Sequence, residues 1–461
     1  MLANSITWVT SFTSSQIIPL LATATESDST AIMAGVLISL IVIYLASIIG
    51  AEICARLNMP PVLGQLLGGL VVGISAFHLL VFPEGGGDSS NSLIINFLIA
   101  TTGLSLDGAV TTFQINSEVI SVLAEIGVVI LLFEIGLESD LKELLKVGPY
   151  SAIVALVGVA APFFGGTFGL IYLFGVPTIP AIFAGAALTA TSIGITAKVL
   201  AELQYLNRKE GQIIIGAAVL DDVLGIIILA VVASLAKTGE VELTNVLYLI
   251  VSAVAFLVGA VLLGRLFNPY FVKIVDELRT RGQLLIPALI FAFVLSYIAT
   301  AIHLEAILGA FTAGLVLAET QKCRALKNQV VPIADILVPI FFVVVSAKTN
   351  IGVLNPFVPE NREGLIIAAF LILVAIVGKV ISGFTVFDRE ETNRLAIGVG
   401  MIPRGEVGLV FAGIGSTTGV LSGSLDAAII VMVILTTFLA PPLLSFVFQK
   451  PAQVSVETKK G

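Results

Sequence analysis

Thirteen apolar runs divide the sequence, and they constrain its fold more than any other feature. A helix needs about 17 to 25 apolar residues to cross a bilayer, with shorter runs possible where the bilayer thins. Hydrophobic residues make up 57% of the 461-residue chain and charged residues only 12%, whereas about a quarter of the residues of a soluble protein are charged. The sequence therefore predicts an all-α polytopic membrane protein with about thirteen transmembrane helices. The predicted spans are 31–55, 61–82, 119–137, 148–174, 179–200, 211–236, 246–268, 284–302, 305–318, 331–350, 364–386, 395–421 and 425–449.

The two ends of the chain and one loop lie outside these spans. Residues 1–30 lack the basic leader of a secretory signal, and their apolar piece is too short to span, so we expect a retained N-terminal tail. Residues 450–461 are expected to form a cytoplasmic tail. The segment from Leu93 to Ala100 is too short to span and is expected to hold an interfacial helix at most.

The basic residues predict the orientation of the chain in the membrane. Eighteen of the 23 Lys and Arg residues fall in loops or at span ends on one side, and three fall on the other side. The remaining two, Lys379 and Arg404, lie within spans. Because basic residues concentrate in cytoplasmic loops, the N-terminus is expected outside and the C-terminus inside.

An internal repeat relates the second span to the ninth. Leu63-Gly64 followed by Gly69-Leu70-Val71 matches Leu308-Gly309 followed by Gly314-Leu315-Val316 at the same spacing. These spans run in opposite directions, which indicates inverted-topology repeats of the kind found in transporters. Spans one to six would then pair with spans eight to thirteen. The alternative is coincidence, since Gly, Leu and Val recur in many membrane helices.

Two adjacent acids, Asp221 and Asp222, lie in the middle of the apolar run from Gln212 to Ala236, which contains no other charged residue. Each ionised carboxylate at the centre of a spanning helix costs about 2.5 to 3.5 kcal/mol, so such residues persist where they face partners, water or a bound ion. Adjacent helical residues point about 100° apart, so the two acids should have different roles. Protons and small cations compete for carboxylate oxygens, which favours proton-coupled cation transport.

The fifth and twelfth spans, paired by the repeat, have the composition of interrupted helices. The fifth contains the polar stretch Thr189–Thr196, and the twelfth contains Gly398, Gly400, Pro403 and Gly405. Interrupted backbone is tolerated at membrane depth only where it is buried in protein or lines a cavity. We expect two crossed discontinuous helices beside the aspartates, although Gly and Pro are also common in ordinary membrane helices.

Three further charged residues lie within the last spans. Lys379 is expected to pair with Asp221, because an unpaired buried ammonium would be costly; the alternative is a side chain that reaches to the interface. Arg404 and Glu406 are expected to neutralise charges in the core rather than contact the transported ion.

Several function classes are disfavoured. With only two Cys and two His residues, the chain has no disulfide framework and no metal-ligand cluster. A phosphate-binding Gly-rich Lys motif is not seen, which argues against a pump driven by nucleotide hydrolysis. An aspartyl protease needs two carboxylates that face each other from different elements, which adjacent aspartates cannot provide.

The stretch Thr189–Thr196, the pair Asp221-Asp222, Lys379 and the stretch Pro403–Glu406 together resemble the monovalent cation:proton antiporter family 2, in particular its Na⁺/H⁺ antiporters. The resemblance implies that Asp222 binds the ion and the proton and that Asp221 pairs with Lys379. It places Thr191 and Ser192 in an unwound stretch near the ion.

The resemblance also implies a domain organisation and a homodimer. Residues 31–137 and 284–350 would form a dimerisation domain, residues 148–236 and 364–449 an ion-binding core, and residues 246–268 a linker helix. The implied activity is secondary antiport of Na⁺, or Li⁺, against H⁺ by alternating access.

A K⁺/H⁺ antiporter and a cation channel remain alternatives to this activity. The protein is expected to be no enzyme, to need no cofactor besides the transported Na⁺ and H⁺, and to bind no nucleic acid. Its expected partners are Na⁺ or another monovalent cation, protons, and the lipid bilayer of a plasma membrane or of an internal energy-coupling membrane.

Overall fold

The fold is described from a computed structural model that covers residues 26–83, 86–238, 243–355, 357, 359–387, 392–417, 419–421 and 423–448. Throughout these residues the regular structure is helical, with no strand. The predicted tails fall largely outside the described residues, which begin at Glu26 and end at Phe448. The all-α class predicted from the sequence is confirmed.

Each predicted span coincides, in chain order, with one helix or with a pair of short helices. Seven of the described helices, α1, α4, α5, α8, α12, α13 and α16, are long and apolar enough to cross a membrane by length and composition. The total of thirteen crossings stays a prediction. The helices are α1 (Glu26–Arg56), α2 (Pro61–Val72), α3 (Leu93–Thr102), α4 (Leu106–Glu138), α5 (Leu141–Phe174), α6 (Thr178–Ala187), α7 (Ile193–Glu202), α8 (Lys209–Thr238), α9 (Leu243–Glu277), α10 (Leu285–Ala301), α11 (Ala306–Ala318), α12 (Cys323–Ala347), α13 (Pro359–Gly383), α14 (Arg394–Gly400), α15 (Glu406–Thr417) and α16 (Gly423–Phe448).

Two helices differ from the predicted spans in where they begin or in being present. Helix α1 begins at Glu26, inside the predicted N-terminal tail. The short segment that begins at Leu93 forms helix α3, and the side chain of Ser92 caps it by accepting a hydrogen bond from the Ile95 amide.

The chain separates into two compact units. Of the described residues, the first unit contains those within 26–57, 63–131 and 329–353, and the second contains those within 58–62, 132–328 and 354–448. Helices α10 and α11 therefore group with the second unit, whereas the resemblance places them in a dimerisation domain. The assignment of dimerisation and core functions stays a prediction.

Helices α5, α8, α13 and α16 carry much of the packing in the second unit. Helix α5 packs against α8 and α13, and α13 packs in turn against α16. Small residues permit the close approach: a Cβ at Gly378 of α13 would lie 2.9 Å from the ring of Pro162 on α5. This packing brings Lys379, the next residue of α13, into the centre of the second unit.

The repeat glycines make equivalent contacts. A Cβ at Gly69 of α2 would lie 2.2 Å from the carbonyl oxygen of Val343 on α12, and a Cβ at Gly314 of α11 would lie 2.3 Å from that of Phe133 on α4. The repeat pairs the second span with the ninth and the third with the tenth. The contact of α2 with α12 therefore corresponds to that of α11 with α4, which supports the repeat.

Replacing Gly314 by Ala should lower the thermal stability of the detergent-solubilised protein, because the added methyl group meets backbone rather than a movable side chain. Overpacking of this kind costs about 1 to 3 kcal/mol. Gly259→Ala is the matched control, since no other described segment has an atom within 4 Å of its Cβ position. Equal melting temperatures for the two variants would contradict the close contact.

Candidate functional site

Both predicted interruptions are present. The fifth span consists of α6 and α7, separated by the non-helical residues 188–192, and the twelfth consists of α14 and α15, separated by residues 401–405. Pro403 lies in the second break, where its missing N–H and its ring prevent a continuous helix. The breaks leave backbone amides and carbonyls without helical partners, and these groups need other partners at this depth.

The two breaks provide partners for each other. The amide of Ser192 donates a hydrogen bond to the carbonyl oxygen of Pro403 at 2.8 Å. Beside it, the hydroxyl of Thr196 donates to the carbonyl oxygen of Gly400 at 3.0 Å. A Cβ at Gly405 would lie 3.0 Å from the side chain of Ser192. Glycine at this position therefore allows the breaks to touch. Whether the helices cross stays a prediction.

Asp221 is fully buried on α8 and contacts Lys379, the partner expected from the sequence. Lys379 Nζ donates to Asp221 Oδ2 at 2.5 Å, and both side chains are inaccessible to solvent. Thr191 Oγ1, in the first break, lies 2.7 Å from the same carboxylate oxygen. Asp221 Oδ1 is buried without a hydrogen-bond partner among the described residues. One carboxylate oxygen thus joins three separate elements.

Helix α5 makes room for the lysine. Gly158 faces the ammonium group, and a Cβ there would lie 3.4 Å from Lys379 Nζ. Lys379 lies four residues before the end of α13, but its side chain is inaccessible to solvent and ends at Asp221. The alternative of a side chain that reaches to the membrane interface is therefore wrong.

Asp222 points elsewhere, as expected for adjacent positions on a helix. It is 5% exposed and lines a small cavity together with Thr191 and Ser192 of the first break and Gly405 of the second. Ala190, Ile193, Ile307, Val407 and a second acid, Glu305, complete the wall. Two acidic residues, two residues with hydroxyl groups and parts of both breaks therefore line one space.

Arg404 lies in the second break and is also fully buried. Its Nη1 donates to the carbonyl oxygen of Ala190 in the first break, and its charge interacts with Asp221. The hydroxyl of Thr437 on α16 donates to the Arg404 carbonyl at 2.6 Å. Arg404 therefore holds the breaks together, consistent with a structural role. The side chain of Glu406 lies outside the described part of the structure.

The structure thus brings Asp221, Lys379, Thr191 and Arg404 into one buried group and places Asp222 with Thr191 and Ser192 at the cavity. Thr191 belongs to both, because its hydroxyl bonds to Asp221 while the residue lines the cavity. Glu305 is a cavity residue that the charge pattern does not single out. Its position on the cavity wall comes from the packing of α11, which no local pattern in the sequence indicates.

Comparison with known proteins identifies the family. The family profile described as "Sodium/hydrogen exchanger, transmembrane" matches residues 27–450. The chain belongs to the sodium/hydrogen exchanger family. A high-affinity Na(+)/H(+) antiporter, NhaS3, from Synechocystis sp. is 63% identical to this exchanger over 434 residues, which are 94% of each chain. The resemblance to Na⁺/H⁺ antiporters is therefore confirmed.

A second relative and a solved structure are also similar to this chain. The Na(+)/H(+)-K(+) antiporter GerN of Bacillus cereus is 32% identical over 88% of this exchanger and 94% of its own length. The sodium proton antiporter MjNhaP1 of Methanocaldococcus jannaschii has a solved structure that superposes with a TM-score of 0.59 at 16% identity, covering 91% of this chain and 97% of that one. At this low identity the structural match establishes the shared fold alone.

A double-mutant cycle on Asp221 and Lys379 should reveal strong coupling. Lys379→Gln alone removes the contacting charge from a buried carboxylate. Breaking a buried pair costs about 3 to 5 kcal/mol, whereas removing both charges is often close to neutral. We therefore expect a marked drop in melting temperature for Lys379→Gln and recovery of most of it in the double variant with Asp221→Asn. Additive effects of the two substitutions would contradict the pairing.

Proposed function

We propose that this exchanger moves Na⁺, or Li⁺, in one direction across a membrane in exchange for H⁺, by alternating access to the cavity at Asp222. The observation that carries the proposal is the convergence of Asp222, Thr191 and Ser192 on one space between two interrupted helices. Family membership supports cation and proton exchange as the general activity.

The chemistry of the cavity suits a hard monovalent cation. Such cations prefer oxygen ligands, and the Asp222 carboxylate, the Thr191 and Ser192 hydroxyls and the carbonyls of the break supply several. The carboxylate contributes charge, while the neutral oxygens replace part of the hydration shell. Asp222 would hold the ion, with Thr191 and Ser192 as its neutral ligands.

Exchange follows if the cation and the proton occupy the same carboxylate in turn. A protonated Asp222 loses the negative charge that attracts the cation, and a bound cation disfavours protonation. An empty, ionised site is costly at membrane depth, so the cavity would change sides mainly when it carries one of the two ions. That coupling distinguishes an exchanger from a channel.

The neighbouring pair of Asp221 and Lys379 has a supporting role in this scheme. Their contact compensates two buried charges, and Thr191 connects them to the cavity through its hydroxyl. We propose that this pair holds the first break in the conformation that Asp222 requires. Arg404 would connect the second break to the first through its hydrogen bond to Ala190.

Ion preference admits a second candidate. The 63% identical relative is described as a Na(+)/H(+) antiporter, and the 32% identical GerN as a Na(+)/H(+)-K(+) antiporter. We favour Na⁺ because the relative with higher identity carries that description, and K⁺/H⁺ exchange is the alternative to be measured.

We also propose an orientation, a host membrane and an oligomeric state for the protein. The distribution of Lys and Arg supports an N-terminus outside and a C-terminus inside. The membrane would be a plasma membrane or an internal energy-coupling membrane. We further propose a homodimer embedded in the lipid bilayer, on the basis of the family resemblance.

Purified protein in sealed vesicles should move protons when Na⁺ is added, as reported by an internal pH-sensitive dye. Asp222→Asn keeps the size of the side chain but removes its charge, so we expect the rate to fall at least about a hundredfold, a loss of some 2.7 kcal/mol. Asp107→Asn, an exposed acid at the start of α4, is the matched control and should retain the full rate. Full activity of Asp222→Asn would refute the proposal.

A further inference from the structure

Glu305 contributes a second acidic side chain to the cavity that contains Asp222. It is half-buried and directly precedes α11, within the same compact unit as the two breaks. Although it occupies the capping position of that helix, its side chain makes no capping hydrogen bond. The position of the carboxylate on the cavity wall is therefore not explained by helix capping.

The length of α11 places Glu305 at depth. The helix has 13 residues, which at 1.5 Å per residue extend about 20 Å, less than the hydrocarbon core of roughly 30 Å. Its other end leads into an exposed polar turn, where Lys322 pairs with Asp276 at 2.7 Å. The basic residues of this turn predict that it lies at the cytoplasmic boundary. On that prediction, the end of α11 with Glu305 would lie within the membrane.

We propose that Glu305 is a second acidic residue of the ion pathway, whose carboxylate holds the cation on its way between water and Asp222. The inference rests on the proposed function of the cavity. Two carboxylates that line one small space repel each other unless a cation or a proton lies between them, so the site favours capture of a cation.

The effect should be on capture rather than on turnover. Negative charge on the wall of a low-dielectric cleft raises the local concentration of cations, whereas Asp222 would still carry the ion across. Loss of the Glu305 charge therefore raises the Na⁺ concentration needed for half-maximal exchange and leaves the maximal rate largely intact. A purely structural role for Glu305 would instead lower the maximal rate or the amount of folded protein.

The test measures initial rates of proton movement in vesicles against Na⁺ concentration at one fixed pH, for the full chain. Glu305→Gln preserves shape and hydrogen-bonding capacity, and we expect its apparent KM for Na⁺ to rise about tenfold with a maximal rate within about twofold of the unsubstituted protein. Glu305→Asp retains the charge and should stay close to the unsubstituted protein. The matched control is Glu319→Gln, the same change at the exposed opposite end of α11, which should leave the apparent KM unchanged.

An unchanged apparent KM in Glu305→Gln, or a lower maximal rate without any change in KM, would overturn the proposal. If Glu305→Gln does not fold, Glu305→Ser provides a second neutral variant, judged by the same two quantities. Absence of Na⁺-driven proton movement in the unsubstituted protein would instead overturn the proposed function, and this inference with it. The two failures can be distinguished, because failure of the Glu305 proposal alone leaves Na⁺-driven proton exchange through Asp222 intact.

Discussion

The ion pair between Asp221 and Lys379 is the interaction on which the rest of the site depends. Both charges are fully buried, and a charge removed from water persists only with a partner and additional hydrogen bonds. The Thr191 hydroxyl supplies such a bond from the first break. Three elements, α8, α13 and the break of the fifth span, are therefore fixed relative to one another at a single carboxylate oxygen.

The adjacent acid receives a different environment for a geometric reason. Because neighbouring helical positions diverge by about 100°, fixing Asp221 toward Lys379 turns Asp222 toward the cavity beside Ser192 and Gly405. Arg404, in the second break, donates a hydrogen bond to the carbonyl oxygen of Ala190 in the first break and so connects the two. The paired charges of Asp221 and Lys379 therefore lie apart from the cavity, and the carboxylate that we propose exchanges a cation for a proton lines it.

Apolar run length predicted the helices, and the cost of buried charge predicted that Lys379 would meet Asp221, because few partners exist in a core with so few charged residues. Gly and Pro content predicted the two interruptions. Run length did not predict that α10 and α11 group with the second unit, since such grouping depends on contacts between distant segments. It also did not single out Glu305, whose position on the cavity wall follows from the packing of α11 rather than from a local pattern.

The most direct test of the central claim is whether Na⁺ and H⁺ displace each other on the same carboxylate. Na⁺ can be added to purified protein in weakly buffered detergent solution while a pH-sensitive dye reports proton release, with Asp222→Asn measured in parallel. The account predicts saturable proton release from the unsubstituted protein and none from the variant. No release from the unsubstituted protein, or equal release from both, would contradict it.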